Sequence, residues 1–465
     1  MTKIKFGTDG WRAIIAQEYT VDNVKRVADA TAKWVKENNG DKVVIGHDCR
    51  FAGQLFAETA ARVLGGHGIK VHLAKGFVST PMVSLGVLKT KAEAGVVITA
   101  SHNPPSYNGF KLKSSYGGPT IPADISKVEA LIPEEYTGNL PTLDELHESG
   151  LLNYIDLEDI YYAHVADNFD LDAMRNSEMK IAYDAMYGAG MGVLPRILPN
   201  AVLLHCDDNP SFKGQAPEPI LRNLSELAEL VKSDPSIGFG LANDGDADRI
   251  GAFDGDGNFV DSHHLLLLIL HYLHKYKELT GKVVITFSVS DKVKKLAEHY
   301  GLECEVTKIG FKYIAEIMTQ EDVLVGGEES GGLAAKGHIP ERDGIWMGLI
   351  ILEFMAKTGK SLQELIQEIY DIVGPFAFDR DDLHISEDMK QSIIEKCKTG
   401  AFDAFGDYPI IRTETVDGYK FIFDEDSWVM VRPSGTEPVL RVYAQGRDHA
   451  AVRQLLDAAH ATLQS

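Results

Sequence analysis

Cysteine is scarce. There are four in 465 residues, Cys49, Cys206, Cys304 and Cys397, far apart and with no Cys-x-x-Cys. Neither a disulfide framework nor a cysteine-built zinc site follows, and isolated thiols of a reducing compartment are expected. Long apolar runs are missing as well. The longest, Leu265 to Leu270, is far too short to cross a bilayer and reads as part of a buried helix. The opening residues lack the apolar centre of a signal peptide, so a cytoplasmic protein is expected. Basic charge is in short supply: 46 Lys and Arg against 68 Asp and Glu give a net charge of −22. That argues against nucleic acid or a membrane as partner. It leaves room for an anionic small molecule, because salt confines such fields to about 8 Å. No Gly-x-Gly-x-x-Gly opens a strand–helix unit, and the Arg432 to Pro438 stretch lacks the Gly-Lys-Ser/Thr ending of a Walker loop, so no nucleotide is implied.

What is present alternates. Val21 to Lys36 has helical spacing, with Val24, Val27, Ala28, Thr31 and Val35 on one face. Lys42 to His47 is a strand, Gln54 to Leu64 a helix, Lys70 to Leu73 a strand, and Ala94 to Thr99 another. Later strands at Met179–Asp184, Ile237–Ala242, Lys282–Thr286 and Val323–Val325 each run into a loop rich in Gly, Asp or Ser. Strands alternating with helices predict an α/β fold with mainly parallel sheets, and ligand sites at the strands' C-terminal ends. Composition divides the chain at 1–150, 151–255, 256–374 and 375–465. The last part reads as α+β: Phe421–Phe423 and Ser427–Val431 flank an acidic turn as in a hairpin, and a helix runs from His449 to Leu463.

Several loops carry chemistry. Thr99-Ala100-Ser101-His102-Asn103-Pro104-Pro105 follows a buried strand, and its two prolines constrain the turn. Ser101 there is either a turn residue or a nucleophile able to carry a phosphate. Asp244-Gly245-Asp246-Ala247-Asp248-Arg249 places carboxylates at i, i+2 and i+4 with small residues between them. That set suits a hard divalent cation, although an acidic surface turn has the same composition. The similar Asp254-Gly255-Asp256-Gly257-Asn258 lies between two apolar stretches and reads as a hairpin turn. Gly326 to Gly332 brackets Glu328, Glu329 and Ser330 with glycines, which either makes a flexible linker or lets a ligand approach the backbone closely. Arg432-Pro433-Ser434-Gly435-Thr436 combines a guanidinium, two hydroxyls and a glycine amide, a set that fits a phosphate dianion or a structural turn. Gly7-Thr8-Asp9-Gly10-Trp11-Arg12 is a glycine turn whose Arg is either solvated at the surface or able to fork onto phosphate.

Together these stretches, with Tyr107-Asn108-Gly109-Phe110-Lys111, closely resemble the α-D-phosphohexomutase family, which includes phosphoglucomutases and phosphomannomutases. The resemblance covers the whole chain in the right order. It implies three similar mixed-sheet α/β domains and a smaller α+β C-terminal domain around a central cleft. It implies phospho-Ser101 as the resting state, and Mg²⁺ bound by Asp244, Asp246, Asp248 and that phosphoserine. Glu328 and Ser330 would hold sugar hydroxyls. Arg432, Ser434, Gly435 and Thr436 would hold the non-reacting phosphate, while Lys111, Arg12, His102 and Arg249 would surround the reacting one, with Lys111 as general acid or base. The Gly310–Ile314 and His338–Gly344 segments resemble the phosphoglucomutase branch and add Lys312 and His338 as substrate-binding residues, although Arg342 stands where a lysine is usual. The expected reaction interconverts glucose 1-phosphate and glucose 6-phosphate through a hexose 1,6-bisphosphate, which also serves as activator. Mannose and glucosamine phosphates are the alternative substrates, and the oligomeric state, monomer or dimer, is open. Two other classes compete. A metal-dependent sugar phosphatase would need the acidic loop but no second phosphate grip, and a sugar-phosphate binding protein would not need both Ser101 and the triad.

Overall fold

The computed structural model describes residues 3–7, 9–433 and 439–464. These form two compact units: residues 1–282 with 310–366, and residues 283–309 with 367–465.

The first unit opens with β1 (Trp11–Ile14), α1 (Val21–Glu37), β2 (Lys42–His47), α2 (Gly53–Gly66), β3 (Lys70–Ala74), α3 (Thr80–Thr90) and β4 (Ala94–Ile98). There follow β5 (Tyr107–Ser114), β6 (Gly118–Pro119) and β7 (Leu152–Ile155). The sheet runs β1-β5-β4-β2-β3-β7, with β6 on β5. Its β4-β2-β3-β7 portion is parallel, as the alternation predicts. β5 is an antiparallel insertion between β4 and β1 that the composition did not announce. All five residues of β4 are buried, as expected of an apolar β-branched strand covered on both faces.

A second sheet is ordered β12-β11-β10-β8-β9, from β8 (Lys180–Asp184), β9 (Val202–Leu204), β10 (Ile237–Asn243), β11 (Ile250–Asp254) and β12 (Phe259–Val260). It too is mixed, with β9-β8-β10 parallel and the rest antiparallel. The turn joining β11 to β12 is the acidic hairpin expected at 254–258. Asp254 Oδ1 accepts from the amides of Asp256 and Asn258 at 3.0 and 2.9 Å, which folds the turn without a cation. Also in this unit, strand Val323–Gly327 pairs antiparallel with Leu333–Ala335. Residues Leu265 to Leu270 are buried inside the helix Ser262–His271.

In the second unit, residues 283–286 pair in parallel with Cys304–Thr307. An antiparallel sheet runs in the order Ala377–His384, Val439–Gly446, Trp428–Pro433, Tyr419–Ile422 and Arg412–Glu414. The expected hairpin is its Tyr419–Ile422/Trp428–Pro433 pair, and the terminal helix spans His449–Leu463. Residues 283–309 join this unit because Phe287 packs with Ile422, Trp428, Met430 and Tyr443. A buried hydrogen bond from Ser290 Oγ to Gln445 Oε1 (2.5 Å) adds to that contact. All four cysteines are free thiols. Among the described residues no helix is long and apolar enough to cross a membrane.

Candidate active site

The serine loop leaves the end of β4. Ser101 is 1% exposed and adopts φ +52°, a left-handed conformation uncommon outside glycine, asparagine and aspartate. Neighbouring side chains hold it there. Arg50 donates to the carbonyls of Ser101 (2.5 Å), Asn103 (2.7 Å) and Pro104 (2.9 Å). Thr99 Oγ1 accepts from the Ser101 amide at 2.9 Å and donates to Asp48 Oδ2 at 2.5 Å. Asp48 in turn pairs with Arg50. A residue pinned in a sparsely populated conformation marks a functional loop. The Ser101 hydroxyl is thereby aimed at a second loop, where it donates to Asp244 Oδ2 at 2.7 Å, with His102 Nδ1 3.3 Å away.

That second loop follows β10, the C-terminal edge where α/β sites form. Asp244, Asp246 and Asp248 are all 0% exposed. Asp244 Oδ1 accepts from the amides of Asp248 and Arg249, each at 3.0 Å, which curls the loop around it. Gly245 is required here: a Cβ would stand 2.6 Å from the Ser101 carbonyl oxygen. Asp246 Oδ2 accepts from Thr80 Oγ1 (2.5 Å) and Lys111 Nζ (2.7 Å). Asp246 Oδ1 and Asp248 Oδ1 are buried and accept from no described residue. One oxygen from each of the three aspartates lies within 4.8 Å of the others. Bare carboxylate oxygens converging in a buried loop are costly unless a cation meets them, and an all-oxygen set fits Mg²⁺.

The other cations of the site are buried with the carboxylates. Lys111 on β5, 1% exposed, pairs with Asp246 (2.7 Å), Asp9 (2.8 Å) and Asp248 (3.0 Å). Burial alone would lower its pKa, but Asp246, Asp248 and Asp9 outweigh burial and raise it, so Lys111 is an ammonium here. The same exchange runs the other way for Asp246: burial pushes its carboxyl up, and Lys111 more than offsets that. For Asp244, burial together with the other two aspartates outweighs the pull of Arg249 and raises its carboxyl well above the usual carboxylate range. Arg342 donates to Asp248 at 2.7 Å and to Asp9. Arg12 donates to Asn103 Oδ1 at 2.6 Å. Burial, then Arg249 and Arg12, hold His102 well below its ordinary value. Arg249 lies 3.8 Å from Glu218, and its Nε donates to none of the described residues. The structure therefore brings together Ser101, His102, Arg12, Lys111, Arg249 and the aspartate triad.

The glycine-bracketed loop lies in the same unit. Glu328 is 3.9 Å from Arg342, and its loop closes through the Glu328 amide on the Gly332 carbonyl (3.0 Å). Gly332 is also explained by its surroundings, since a Cβ there would collide with the Arg342 side chain. Burial lifts the Glu328 carboxyl from 4.5 to about 7 against the pull of Arg342. Folded protein then binds more protons than unfolded chain between those two values, so the stability Glu328 contributes below 4.5 is lost as the pH rises through about 7. Glu328→Gln is neutral at every pH. It should melt with the parent near pH 4 and above it at pH 8, which thermal melts across that range check.

Ser330, half-buried, shares the Glu328 loop. Lys312 lies on the helix Phe311–Gln320 with its ammonium 5.3 Å from the Tyr313 ring. His338 is not among the clustered residues. Its side chain is buried, stacks on Trp346 at 3.9 Å and meets Asp343 at 2.9 Å. Arg432, in the second unit, pairs with Asp417 at 3.3 Å. Ser434, Gly435 and Thr436 lie outside the described residues. Sequence reasoning passed over Asp9 as a ligand of Lys111 and Arg342, and over the Asp48–Arg50–Thr99 brace. Asp48 and Arg50 stand two apart at the end of β2, a local signal that could have marked that loop.

Four family descriptions match the chain: phosphoglucomutase/phosphomannomutase α/β/α domain I over residues 3–138, domain II over 159–257, domain III over 261–373, and the C-terminal domain over 397–461. The chain belongs to the phosphoglucomutase/phosphomannomutase family. It is thus a phosphohexomutase-type isomerase of four domains, three α/β with mixed sheets and a smaller C-terminal one, as the sequence led us to expect. Among members of this family, it is 32% identical to a "probable phosphoglucosamine mutase" of Methanosphaera stadtmanae, over 95% of this chain and 94% of that one. It is 29% identical to the phosphoglucomutase/phosphomannomutase of Thermococcus kodakarensis, over 97% and 96%. The crystal structure of a "putative phosphomannomutase" from Thermus thermophilus superposes with a TM-score of 0.88 at 33% identity, over all of both chains.

Proposed function

We propose that this phosphohexomutase interconverts glucose 1-phosphate and glucose 6-phosphate by way of a phosphate carried on Ser101. The observation that carries the reading is the Ser101 hydroxyl held 2.7 Å from Asp244, beside the two bare oxygens of Asp246 and Asp248. A divalent cation, Mg²⁺ in this reading, would be held by Asp244, Asp246, Asp248 and the Ser101 side chain, and supplies positive charge against the phosphoryl oxygens. In the forward half-reaction the bond from phosphorus to Ser101 Oγ breaks as a bond to a sugar hydroxyl forms, giving hexose 1,6-bisphosphate. In the return half the other phosphoryl group passes to Ser101. Lys111, an ammonium among three carboxylates, is set to supply a proton to the oxygen that loses the phosphoryl group. The hydroxyl that gains the group passes its own proton to Lys111, which restores the ammonium. Arg12 and Arg249 offset the charge of the transferring group, and neutral His102 orients it. Glu328, Ser330 and Lys312 take the sugar hydroxyls, and Arg432 with Ser434, Gly435 and Thr436 takes the phosphate that does not react. Added glucose 1,6-bisphosphate should activate protein that has lost its phosphate. Four free thiols accord with a cytoplasmic setting.

Glucosamine 1-phosphate is the second reading, favoured by the names of relatives such as that of Methanosphaera stadtmanae. Purified protein should be compared on glucose, mannose and glucosamine 1-phosphates, with inorganic phosphate followed in parallel. The highest kcat/KM is expected for glucose 1-phosphate, with little phosphate released. A preference for the amino sugar moves the assignment to the second reading. Phosphate release without isomer formation removes the mutase reading in favour of a metal-dependent sugar phosphatase.

A further inference from the structure

Glu341, Arg342 and Asp343 are three consecutive charged residues, 0%, 5% and 0% exposed. Charge is rarely buried so densely unless each group is held for a purpose. The two outer residues are tied to different elements. Glu341 Oε2 ion-pairs with Lys113 Nζ at 2.6 Å, both side chains 0% exposed, and accepts from Ser84 Oγ on α3 at 3.0 Å. Its other oxygen accepts the Arg342 amide at 3.2 Å. Asp343 Oδ2 accepts from Tyr161 at 2.8 Å, and Oδ1 caps the helix Gly344–Thr358 at the Trp346 amide, 2.9 Å. The middle guanidinium is left to span Asp9, Asp248 and Glu328.

Lys113 stands two residues beyond Lys111 on β5, so both side chains leave the same face of the strand. One ammonium lies on the aspartate triad and the other on Glu341. Strand β6 also meets the Glu341 loop closely, since a Cβ on Gly118 would collide with the Pro340 carbonyl. We propose that the buried Lys113–Glu341 pair is a positioning device: it sets the Arg342 guanidinium between the aspartate triad and Glu328. This inference rests on the mutase reading of the site. A buried ion pair is weak grounds for stability, because an apolar pair of similar volume often replaces it at no cost. The device is therefore separable from the fold.

The test is a double-mutant cycle with a readout that does not depend on turnover. E341Q should lower kcat about tenfold and change KM little, the loss expected when one charged contact is misplaced. R342M should lower kcat further, and E341Q/R342M should be no slower than R342M alone, because Glu341 acts through Arg342. K113M/E341L should melt near the parent yet lose kcat as E341Q does. Mn²⁺ titration supplies the second readout. Arg342 shares Asp248 with any cation on the triad, so R342M and K113M/E341L should both tighten Mn²⁺, by about tenfold for R342M. Losses that multiply in the cycle, or a folded K113M/E341L with parental kcat and Mn²⁺ affinity, overturn the proposal. If the parent isomerises no sugar phosphate, it is the mutase reading that fails, and the Mn²⁺ comparison alone decides the role of the pair.

Discussion

Ser101→Ala is expected to abolish isomerisation while leaving the protein folded. Its Oγ is the hydroxyl directed at the triad, 2.7 Å from Asp244, and the described alcohols Thr80 and Thr99 are engaged elsewhere, Thr80 donating to Asp246 and Thr99 to Asp48. Removal of a nucleophile typically costs on the order of 10⁴-fold or more. The loop should keep its shape, because its brace from Arg50 and Thr99 bonds the Ser101 backbone and not its side chain. Intact-mass measurement should find one phosphate on the parent and none on the variant. A variant with parental turnover would end the phosphoserine mechanism.

Asp246→Asn is expected to have the second largest effect. Asp246 Oδ2 accepts from Thr80 and Lys111 at once while Oδ1 stays bare. An amide in that place offers one acceptor oxygen instead of two and no charge. A cation on the triad would lose a third of its carboxylates, and Lys111 would keep only Asp9 and Asp248. Turnover should fall on the order of 10²- to 10³-fold, the scale of removing one preorganised electrostatic partner. The Mg²⁺ concentration needed for half-maximal rate should rise. The check is a Mg²⁺ titration of parent and variant, with exhaustive chelation as control. A parent whose rate survives chelation has no catalytic metal on this loop.

Much of the fold was legible because its strands obey local rules. Ala94–Ile98 is apolar, β-branched and buried throughout, and Leu265–Leu270 disappears inside a helix. β5 escaped notice because it breaks those rules. Its Lys111 and Lys113 look like exposed positions and are 1% and 0% exposed, since each is neutralised by carboxylates that arrive from Asp246, Asp248 and Glu341, more than a hundred residues away. The same limit applied to the site. Ser101 and the triad lie in loops whose composition announces them. The partnership of Asp9 with Arg342 joins residues 333 apart and leaves no periodic trace. His338 shows the converse. Its segment suggested a sugar contact, and the structure places it in an aromatic stack with Trp346 and His164. Gly332 was visible as a glycine, but its reason, the Arg342 side chain lying against it, belongs to tertiary structure.

The left-handed torsion of Ser101 has a consequence for which alcohol this loop will tolerate. Serine and threonine offer the same oxygen to a phosphoryl group, and in solution they differ little as acceptors. At φ +52° they are not equivalent. A second substituent on Cβ crowds the backbone in that region, and β-branched residues are genuine outliers there. Threonine would relieve the crowding by returning to negative φ, and its hydroxyl would swing off Asp244. The loop thus distinguishes two nearly identical nucleophiles by the shape of the chain that presents them, before either has met a substrate.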